Sequence, residues 1–440
     1  MLDSLIRLQT PPVFSVMRTC ESDSCETVRL SELSFSAWSR GELVEAIRLA
    51  AVAARTNPAC ADNCVGPAMV WYSVLLVRVR ELASGARVLA GVEELTARAE
   101  ETGGLVAASL ICAAELAFTR GDVDSAADLA GRGVHRAQQA DLNSLLPDAH
   151  TMLALSALRQ GNMSVSLDFV DQLRQHALLG RTVDRPSQCA WAAAQFLEVQ
   201  GGAKSAAHLI AGIITDDQLI LELLASQPAA AAWLVRTARK LGDESLAERV
   251  ASEAAGLAAR NRGLRSIEAA AVHADGLLEE DPERVIAAAE AHLDLWAGAS
   301  AYEDAGTLLS ELDQERDRAV EILERAVDGY ARSAAPRDAR RVVSKLRSLG
   351  VRRGRYPQYA GAGQDGVSAG SLTVTEAAVA ELVSQGFTNS QVGEHLFISG
   401  HTVAFHLKKI FRKMNVASRV ELTRTWSRIS SAAPELAQVG

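Results

Sequence analysis

Apolar residues recur at helical spacing along most of this chain. In one segment they follow the i, i+3, i+4, i+7 pattern that places side chains on one face of a helix: Val123, Ala126, Ala127, Ala130 and Val134. Ala and Leu, two strong helix formers, dominate the apolar residues, and aromatic residues make up only 5% of the chain. The pattern predicts an all-α protein.

A small motif repeats through the first three quarters of the chain. It is a glycine, often followed by an acidic or amide residue, with Ala or Ser one turn later, and the glycines are Gly41, Gly121, Gly161, Gly201 and Gly242. Weaker echoes occur at Gly85, 281–283 and 315–317. Glycine supplies the left-handed residue that ends a helix, and the polar residue favours the start of the next. Each unit of about 40 residues is therefore predicted to be a helical hairpin that stacks on its neighbours.

The repeats resemble two known kinds of unit. Trp38-x-x-Gly41 resembles the opening of a tetratricopeptide unit, although the period of about 40 residues exceeds the ~34 of that family. The superhelical sensor region of large ATP-binding LuxR regulators is built from similar units, and residues 31–347 resemble that region in spacing more than in identities. We therefore expect residues 1–30 to form an N-terminal arm and residues 31–347 a tetratricopeptide-like superhelix for sensing or oligomerisation.

The composition changes after Gly350. An arginine-rich run, 352–355, leads into a stretch rich in Gly, Ala and Ser that contains Pro357. Such a composition predicts a flexible linker over residues 348–371. Residues 372–430 should then form a separate domain, with residues 431–440 as a C-terminal tail.

Four helix starts can be read within residues 372–430. Three are capping boxes, in which Glu or Gln follows a Ser or Thr by three residues: Thr373 with Glu376, Thr388 with Gln391, and Ser418 with Glu421. Ser399 is a lone N-cap, and Gly386 and Asn415 are predicted to end the first and third helices. Four short helices, two of them joined by a tight turn near 397–399, predict a small helix-turn-helix domain.

The third of these helices, about Gly400 to Met414, has two faces. One is expected to pack on the first two helices and carries Val403, His406, Leu407, Ile410 and Met414. The opposite face carries His401, Ala404, Phe405, Lys408, Lys409 and Arg412. A helix of this width fits the major groove of DNA, where an exposed Phe405 can contact thymine methyl groups. Packing of Phe405 at a protein interface is the alternative.

The segment resembles the LuxR C-terminal DNA-binding domain from end to end. The matching positions are Leu372-Thr373-x-x-Glu376, Gly386-x-x-Asn389, Leu396-x-Ile398-Ser399, Thr402-Val403-x-x-His406, Ile410-x-x-Lys413-Met414 and Val416-x-x-Arg419. That family usually has Lys where this chain has Ala404, Pro at Val374 and Gly at Asn415. The missing cation at position 404 implies an altered sequence preference, or weaker binding by one domain and greater reliance on dimerisation.

The resemblance implies roles for individual residues. Ala404, Phe405 and Lys408 would face the bases. Contacts to the DNA backbone and groove would come from Thr388, Ser399, His401, Thr402, Lys409, Arg412, Lys413 and Arg419. The fourth helix, Ser418 to Ile429, would pair two copies as a homodimer on two DNA half-sites through Val420, Leu422, Thr423 and Trp426.

The charge distribution agrees with a nucleic-acid partner. The chain has a formal net charge of −9, but residues 371–430 hold seven Lys or Arg against four Asp or Glu. Lys408, Lys409 and Lys413, half of the lysines in the chain, fall close together. A basic cluster on an acidic protein indicates one module that binds double-stranded DNA. A solvated helix face is the alternative if the cluster is taken alone.

The sequence contains no motif for catalysis or for a cofactor. It has no Gly-x4-Gly-Lys-Ser/Thr loop, no strand–helix alternation typical of a receiver domain and no Ser/His/Asp constellation. Cys60 and Cys64 stand four residues apart, without a second Cys or His pair at zinc spacing. We therefore expect a protein that is not an enzyme and needs no cofactor or metal. The missing ATPase module leaves two alternatives, a regulator without it or the C-terminal part of a larger one.

The N-terminal residues and the cysteines bear on localisation. Residues 1–10 lack the pattern of a secretion signal, and the six cysteines are too sparse for a disulfide framework. The most apolar stretch, Leu105 to Ala114, is about half the length needed to span a bilayer. The sequence therefore predicts a cytoplasmic protein without a membrane partner. The excess of Arg over Lys and the abundance of Ala favour a bacterium with GC-rich DNA.

Together these observations predict a sequence-specific transcription regulator, with activation the favoured mode. In this hypothesis the C-terminal domain reads promoter DNA and the repeats receive a signal, since the concave surface of a superhelix suits a small ligand, a peptide or a protein. Trp71, Tyr72, Trp191 and Trp233 either line that surface or belong to the core. The alternative function is a helical-repeat adaptor for protein interactions, with a vestigial or auxiliary DNA-binding end.

Overall fold

The computed structural model describes residues 25–55, 64–97, 103–178, 186–312, 314–351, 374–396, 400–414, 416 and 418–432. The chain divides into two compact units, Met1–Gly354 and Arg355–Gly440. Within the described residues the regular elements are all helical, which confirms the all-α prediction. The predicted linker lies mostly outside these residues, and the first described helix begins within the predicted N-terminal arm.

Where the connecting residues are described, the helices of the first unit follow one another with short turns. In chain order they are α1 (Glu26–Ser39), α2 (Leu43–Ala53), α3 (Val65–Arg78), α4 (Leu82–Thr96), α5 (Gly103–Arg120), α6 (Val123–Gln139), α7 (Leu146–Gln160), α8 (Met163–Leu178), α9 (Pro186–Gly201), α10 (Ala203–Thr215), α11 (Asp217–Ser226), α12 (Ala230–Leu241), α13 (Glu244–Arg260), α14 (Arg265–Leu278), α15 (Pro282–Ala291), α16 (Leu295–Ser310), α17 (Arg316–Arg332) and α18 (Pro336–Ser348). A turn of 3-10 helix, Asn143–Leu145, precedes α7. Neighbouring helices such as α5 and α6, or α16 and α17, pack as hairpins, which confirms the helical-repeat prediction.

The repeated glycines lie at the turns of the hairpins. Gly41, Gly121, Gly161 and Gly242 have φ between 74° and 87°, the left-handed conformation that the motif predicts. At Gly201 the prediction is wrong by one residue: Gly201 is the last residue of α9, and the adjacent Gly202 has φ 79°. Two consecutive glycines allow α9 to continue for one residue before the chain turns.

The weaker copy of the motif at Gly85 does not mark a turn. Gly85 lies inside α4, close to Val77 of α3, and the turn between these helices is made by Arg80 with φ 67°. The echo at 281–283 behaves as predicted, because Asp281 caps α15 by accepting from the backbone N–H groups of Glu283 and Arg284 at 3.0 and 3.2 Å. Asp122 caps α6 in the same way through the N–H of Ser125.

The superhelix winds tightly enough for its first hairpin turns to contact helices far along the chain. The carboxamide of buried Asn261, at the end of α13, accepts from the N–H of Leu43 at 2.7 Å and donates to the carbonyl of Gly41 at 2.7 Å. The hydroxyl of Ser266 donates to the carbonyl of Val79 at 2.8 Å. Asn261 therefore caps α2 from a repeat more than 200 residues away.

Aromatic residues of the repeats lie in the core. Trp71, Trp191 and Trp233 are each at most 5% exposed, and Tyr72 packs on the same core with partial exposure. The core alternative is therefore confirmed for Trp71 and Trp233. Trp191 is buried as well, but it also borders a pocket in this unit.

One described helix, α5, is long and apolar enough to cross a membrane by length and composition alone. Half of its apolar window is buried inside the unit, where Ile111 and Cys112 belong to the core. Its hydropathy therefore has a structural explanation, since α5 packs on both α6 and α7.

Candidate nucleic-acid interface

The second unit contains four described helices around a small core. They are α19 (Val374–Ser384), α20 (Asn389–Leu396), α21 (Gly400–Lys413) and α22 (Arg419–Ala432). The core contains Val379, Ala380, Val383, Val392, Val403, Leu407, Ile410 and Leu422. On α21, Val403, Leu407 and Ile410 are buried and Met414 packs beside them, which confirms the predicted inward face.

Local hydrogen bonds set the ends of these helices. The N–H of Thr388 donates to Gln391 Oε1 at 2.9 Å, and the N–H of Gln391 donates back to Thr388 Oγ1 at 3.4 Å, so this capping box is confirmed. Ser418 Oγ accepts from the N–H of Glu421 at 3.2 Å. Gly386 ends α19 with φ 94°. Thr373, Ser399, Asn415 and the turn 397–399 lie outside the described residues.

The outward face of α21 presents an exposed stripe that contains two cations. Ala404, Lys408 and Arg412 are exposed and succeed one another at four-residue spacing, and Lys409 is half-buried beside them. His401, Thr402 and Phe405 belong to α21, but their side chains lie outside the described ones. The structure thus brings together one predicted base-reading cation, Lys408, and one predicted backbone contact, Arg412, on a single exposed face.

His406 lies at the edge of the inward face and is half-buried. Burial, aided by the charges of Lys409 and Lys413 and opposed by Glu376, lowers the pKa of its imidazole to about 4. The imidazole is therefore neutral near pH 7. The positive charge on this helix comes from its Lys and Arg side chains.

Lys413, predicted to contact the DNA backbone, forms an ion pair inside the unit. Its Nζ lies 2.6 Å from Oε2 of Glu376, a carboxylate of α19 that is only 3% exposed, while Lys413 remains 35% exposed. Sequence reasoning assigned Glu376 only to a helix cap and missed this pairing. Part of the Lys413 charge is therefore neutralised within the domain.

Arg419, another predicted backbone contact, ties α22 to the start of α20. Its guanidinium donates to Asn389 Oδ1 at 2.9 Å and to the carbonyl oxygen of Phe387. Thr388, between these two partners, is exposed. Two of the predicted backbone contacts, Thr388 and Arg419, therefore lie near each other at the N-terminus of α20.

The predicted dimerisation residues of α22 do not share one environment. Val420 is 61% exposed, whereas Leu422 is fully buried in the core of the unit. Trp426 packs on the same core and its Nε1 donates to Glu381 Oε2 at 2.6 Å, and the hydroxyl of Thr423 donates to the carbonyl of Arg419. The assignment of Leu422 to a dimer interface is corrected, because this side chain is already covered by its own domain.

Comparison with known proteins identifies the second unit. Residues 370–426 match the family described as bacterial regulatory proteins, luxR family. Over 53 residues the chain is 47% identical to a putative HTH-type transcriptional regulator of Mycobacterium bovis, a match that covers 12% of this chain and 6% of that protein. It is 43% identical over 53 residues to a nitrate/nitrite response regulator protein homolog of Haemophilus influenzae, covering 12% of this chain and 26% of that protein. The LuxR resemblance of this segment is confirmed, and the match spans only a small part of either relative.

Two solved structures are similar to larger parts of the chain at low scores. A Rap protein complexed with competence and sporulation factor is 12% identical with a TM-score of 0.39, and the match covers 74% of this chain and 99% of that one. The TPR domain of P58(IPK) is 13% identical with a TM-score of 0.22, and the match covers 94% of this chain and 99% of that one. Similarities at these scores do not indicate a function for the repeats.

Proposed function

Residues 370–426 of this chain are a LuxR-family helix-turn-helix domain, and on this premise we propose that the protein is a sequence-specific DNA-binding transcription regulator. The observation that carries the proposal is the division of α21 into two faces. Val403, Leu407 and Ile410 anchor one face in the core, and the other presents Lys408 and Arg412 to solvent. An anchored helix with an exposed cationic face suits insertion into the major groove.

Base readout is assigned to Ala404, Phe405 and Lys408. Lys408 can donate to the O6 and N7 acceptors of guanine, and Phe405 can contact thymine methyl groups. Ala404 offers only a methyl group at a position where the family usually has Lys. The protein should therefore prefer a different base at that step, or bind more weakly through each single domain.

Contacts to the sugar–phosphate backbone are assigned to residues around this helix. Lys409 and Arg412 flank the base-reading positions on α21, with Ser399, His401 and Thr402 at its start. Thr388 and Arg419 lie at the N-terminus of α20, where backbone N–H groups and the helix dipole favour a phosphate. Lys413 should contribute less than a free cation, because it is paired with Glu376.

The remaining parts of the proposal concern the whole protein. The repeats would receive a small ligand, a peptide or a protein as a signal, and two copies would pair through α22 on two half-sites, with Val420 on the exposed face. We propose a bacterial, cytoplasmic regulator that activates transcription and has no enzymatic activity. Exposed Ala404 favours one alternative, an adaptor in which the repeats bind proteins and the DNA-binding end is auxiliary.

Selection of bound fragments from genomic DNA, followed by band shifts with competitor DNA, tests the proposal. The full chain should enrich a common operator, and Lys408→Ala should weaken binding to it by about 1–3 kcal/mol and relax the preference at one base pair. Lys204→Ala removes an exposed lysine of the first unit and serves as the control, with no expected effect. Equally weak binding of every fragment would favour the adaptor.

A further inference from the structure

The last helix of the first unit, α18, is basic although the rest of that unit is acidic. Residues 1–336 hold 30 Lys or Arg against 47 Asp or Glu, whereas α18 holds five Lys or Arg and a single acid, Asp338. Asp338 is 3% exposed, so its charge does not reach the surface of the helix. The exposed side of α18 is therefore positive, and it belongs to a unit that otherwise repels polyanions.

Burial of one side of α18 fixes which side faces solvent. Val342 and Leu346 are at most 1% exposed and anchor the helix in the core of the unit. Arg340, Ser344 and Arg347 lie on the opposite side and are exposed. We call these three residues the α18 stripe. Because a helix rises about 1.5 Å per residue, the two arginines stand about 10 Å apart along its axis.

The cations of α18 divide into a paired group and an unpaired one. Arg341 lies 2.6 Å from Glu303, and Lys345 lies 3.0 Å from the same carboxylate, so these charges are compensated inside the unit. Among the described residues, no carboxylate forms an ion pair with Arg340 or Arg347. The α18 stripe therefore keeps its positive charge for a partner outside the unit.

The α18 stripe also keeps most of its hydrogen-bond donors. One N–H of Arg340 donates to the carbonyl of Pro336 at 3.1 Å, which leaves the other N–H groups of its guanidinium for an acceptor in solution. Beyond Arg347, the guanidinium of Arg316 donates to the carbonyl of Leu349 at the end of the helix, and it also pairs with exposed Asp317 at 3.2 Å. Arg316 thus adds a partly compensated cation at this end of α18.

The position of α18 in the chain favours duplex DNA as the partner. Residues 352–373 connect α18 to α19, and a chain of this length spans at most about 80 Å. Since DNA rises 3.4 Å per base pair, this limit corresponds to about 24 base pairs. When the second unit binds DNA, α18 is therefore held near the phosphates of the same duplex at a high effective concentration.

From this placement we infer that the α18 stripe contacts the DNA backbone beside the operator that the second unit reads. Arg340 and Arg347 each donate to a phosphate oxygen, and the hydroxyl of Ser344 can donate between them. Such contacts add affinity and salt dependence without reading the sequence of bases. The inference rests on the proposed DNA binding by the second unit and adds a contact from the first.

Fluorescence anisotropy of the full chain with two duplexes tests the inference. The short duplex is the selected genomic site trimmed to about 24 base pairs, and the long one adds about 24 base pairs of mixed sequence on each side. We expect the long duplex to bind at least about tenfold more tightly at about 50 mM salt and to lose most of this gain at about 200 mM. The reason is that two phosphate contacts per chain correspond to about a tenfold change in affinity over this range.

Variants connect the gain to the α18 stripe. The double variant Arg340→Gln with Arg347→Gln should bind the short duplex as before, which shows that it is folded, and lose the gain on the long one. Lysine at both positions keeps the charges and should keep most of the gain. Arg262→Gln with Arg265→Gln removes two exposed arginines elsewhere in the unit and is the matched control, with the gain retained.

The outcomes separate this inference from the proposed function. Binding of the short duplex without a gain on the long one would overturn the inference and leave the regulator proposal intact. A gain that survives in the double glutamine variant, or that the control loses equally, would also overturn it and favour an acidic protein as the partner of α18. Failure to bind either duplex would overturn both proposals.

Discussion

At the scale of single residues, the ion pair between Lys413 and Glu376 gives one lysine of the basic cluster a structural role. Lys413→Ala removes the cation from a carboxylate that is 3% exposed, so the C-terminal domain should lose about 1–2 kcal/mol of unfolding free energy. The loss stays below that of a fully buried pair because Lys413 is 35% exposed. Hydrogen exchange of the α19 and α21 amides in the full chain measures it.

Two further variants separate stability from DNA contact. Arg412→Ala removes a neighbouring exposed cation and should reduce DNA affinity and its salt dependence without speeding amide exchange. Combining Lys413→Ala with Glu376→Gln should restore much of the lost stability, because the buried charge is removed together with its partner. Unchanged exchange in Lys413→Ala would contradict the structural role and return this lysine to the phosphate contacts.

Contacts between residues close in sequence could be predicted, whereas contacts between residues far apart in sequence could not. The Thr388–Gln391 capping box and the inward face of α21 follow from three- and four-residue spacings that any helix imposes. Glu376 and Lys413 stand on different helices, as do Asn389 and Arg419, and no local pattern links them. Leu422 was misassigned because an apolar residue on an amphipathic helix can face either its own core or a second copy.

At the scale of elements, glycines of the hairpin turns have similar dihedral angles but different surroundings. A Cβ at Gly242 meets no atom within 4 Å, whereas a Cβ at Gly121 would lie 2.7 Å from Ser333 Cα and 3.1 Å from the carbonyl oxygen of Arg332. Gly242→Ala should therefore cost only the strain of a left-handed alanine, about 1–2 kcal/mol. Gly121→Ala should cost about 1–3 kcal/mol more, because the backbone near Ser333 must move.

Urea unfolding of both variants and of the unchanged chain measures this difference. Gly242→Ala serves as the control, since it introduces the same residue at nearly the same φ. The extra loss in Gly121→Ala reports the contact between the turn after α5 and the end of α17. Equal losses in the two variants would mean that this contact does not form in solution.

The periodicity predicts hairpins, but it does not specify which residue makes each turn. Between α3 and α4 the left-handed residue is Arg80, whose side chain is buried and donates to Asp294 at 3.3 Å and to Gln227 at 3.2 Å. These contacts offset the strain of a non-glycine residue with φ 67°. A search for glycines therefore misses this turn, because the requirement for the arginine arises from distant helices.

At the scale of the whole molecule, the winding of the repeats is the property that the sequence left undetermined. A period of about 40 residues predicts stacked hairpins, yet the pitch depends on contacts between repeats that are far apart in the chain. Asn261 at the turn after α1 is one such contact, and Gly121 beside Ser333 is another. In each contact one residue also makes a helix end or a turn in its own hairpin: Asn261 at the end of α13 and Gly121 after α5. Their distant contacts therefore leave no separate signal in the sequence.

Dimerisation makes a prediction about DNA binding by the complete chain. A segment of residues 372–430 covers one half-site, whereas a dimer holds a second domain near the second half-site at high effective concentration. The full chain should therefore bind a duplex with two half-sites one helical turn apart about 10²- to 10⁴-fold more tightly than a duplex with one. The isolated segment should show no such gain. Fluorescence anisotropy with both duplexes and both proteins measures the four affinities.

The exposed side chain of Val420 connects this gain to α22. Val420 is 61% exposed, so the fold of each domain should persist when Val420→Asp places a charge there. An apolar contact between two copies through this side chain would be lost. The variant should bind the single half-site as before and lose most of the advantage on the paired sites. Retention of the full advantage would place the dimer contact elsewhere, for instance in the repeats. Tight and specific binding by the isolated segment as a monomer would contradict the need for a dimer altogether.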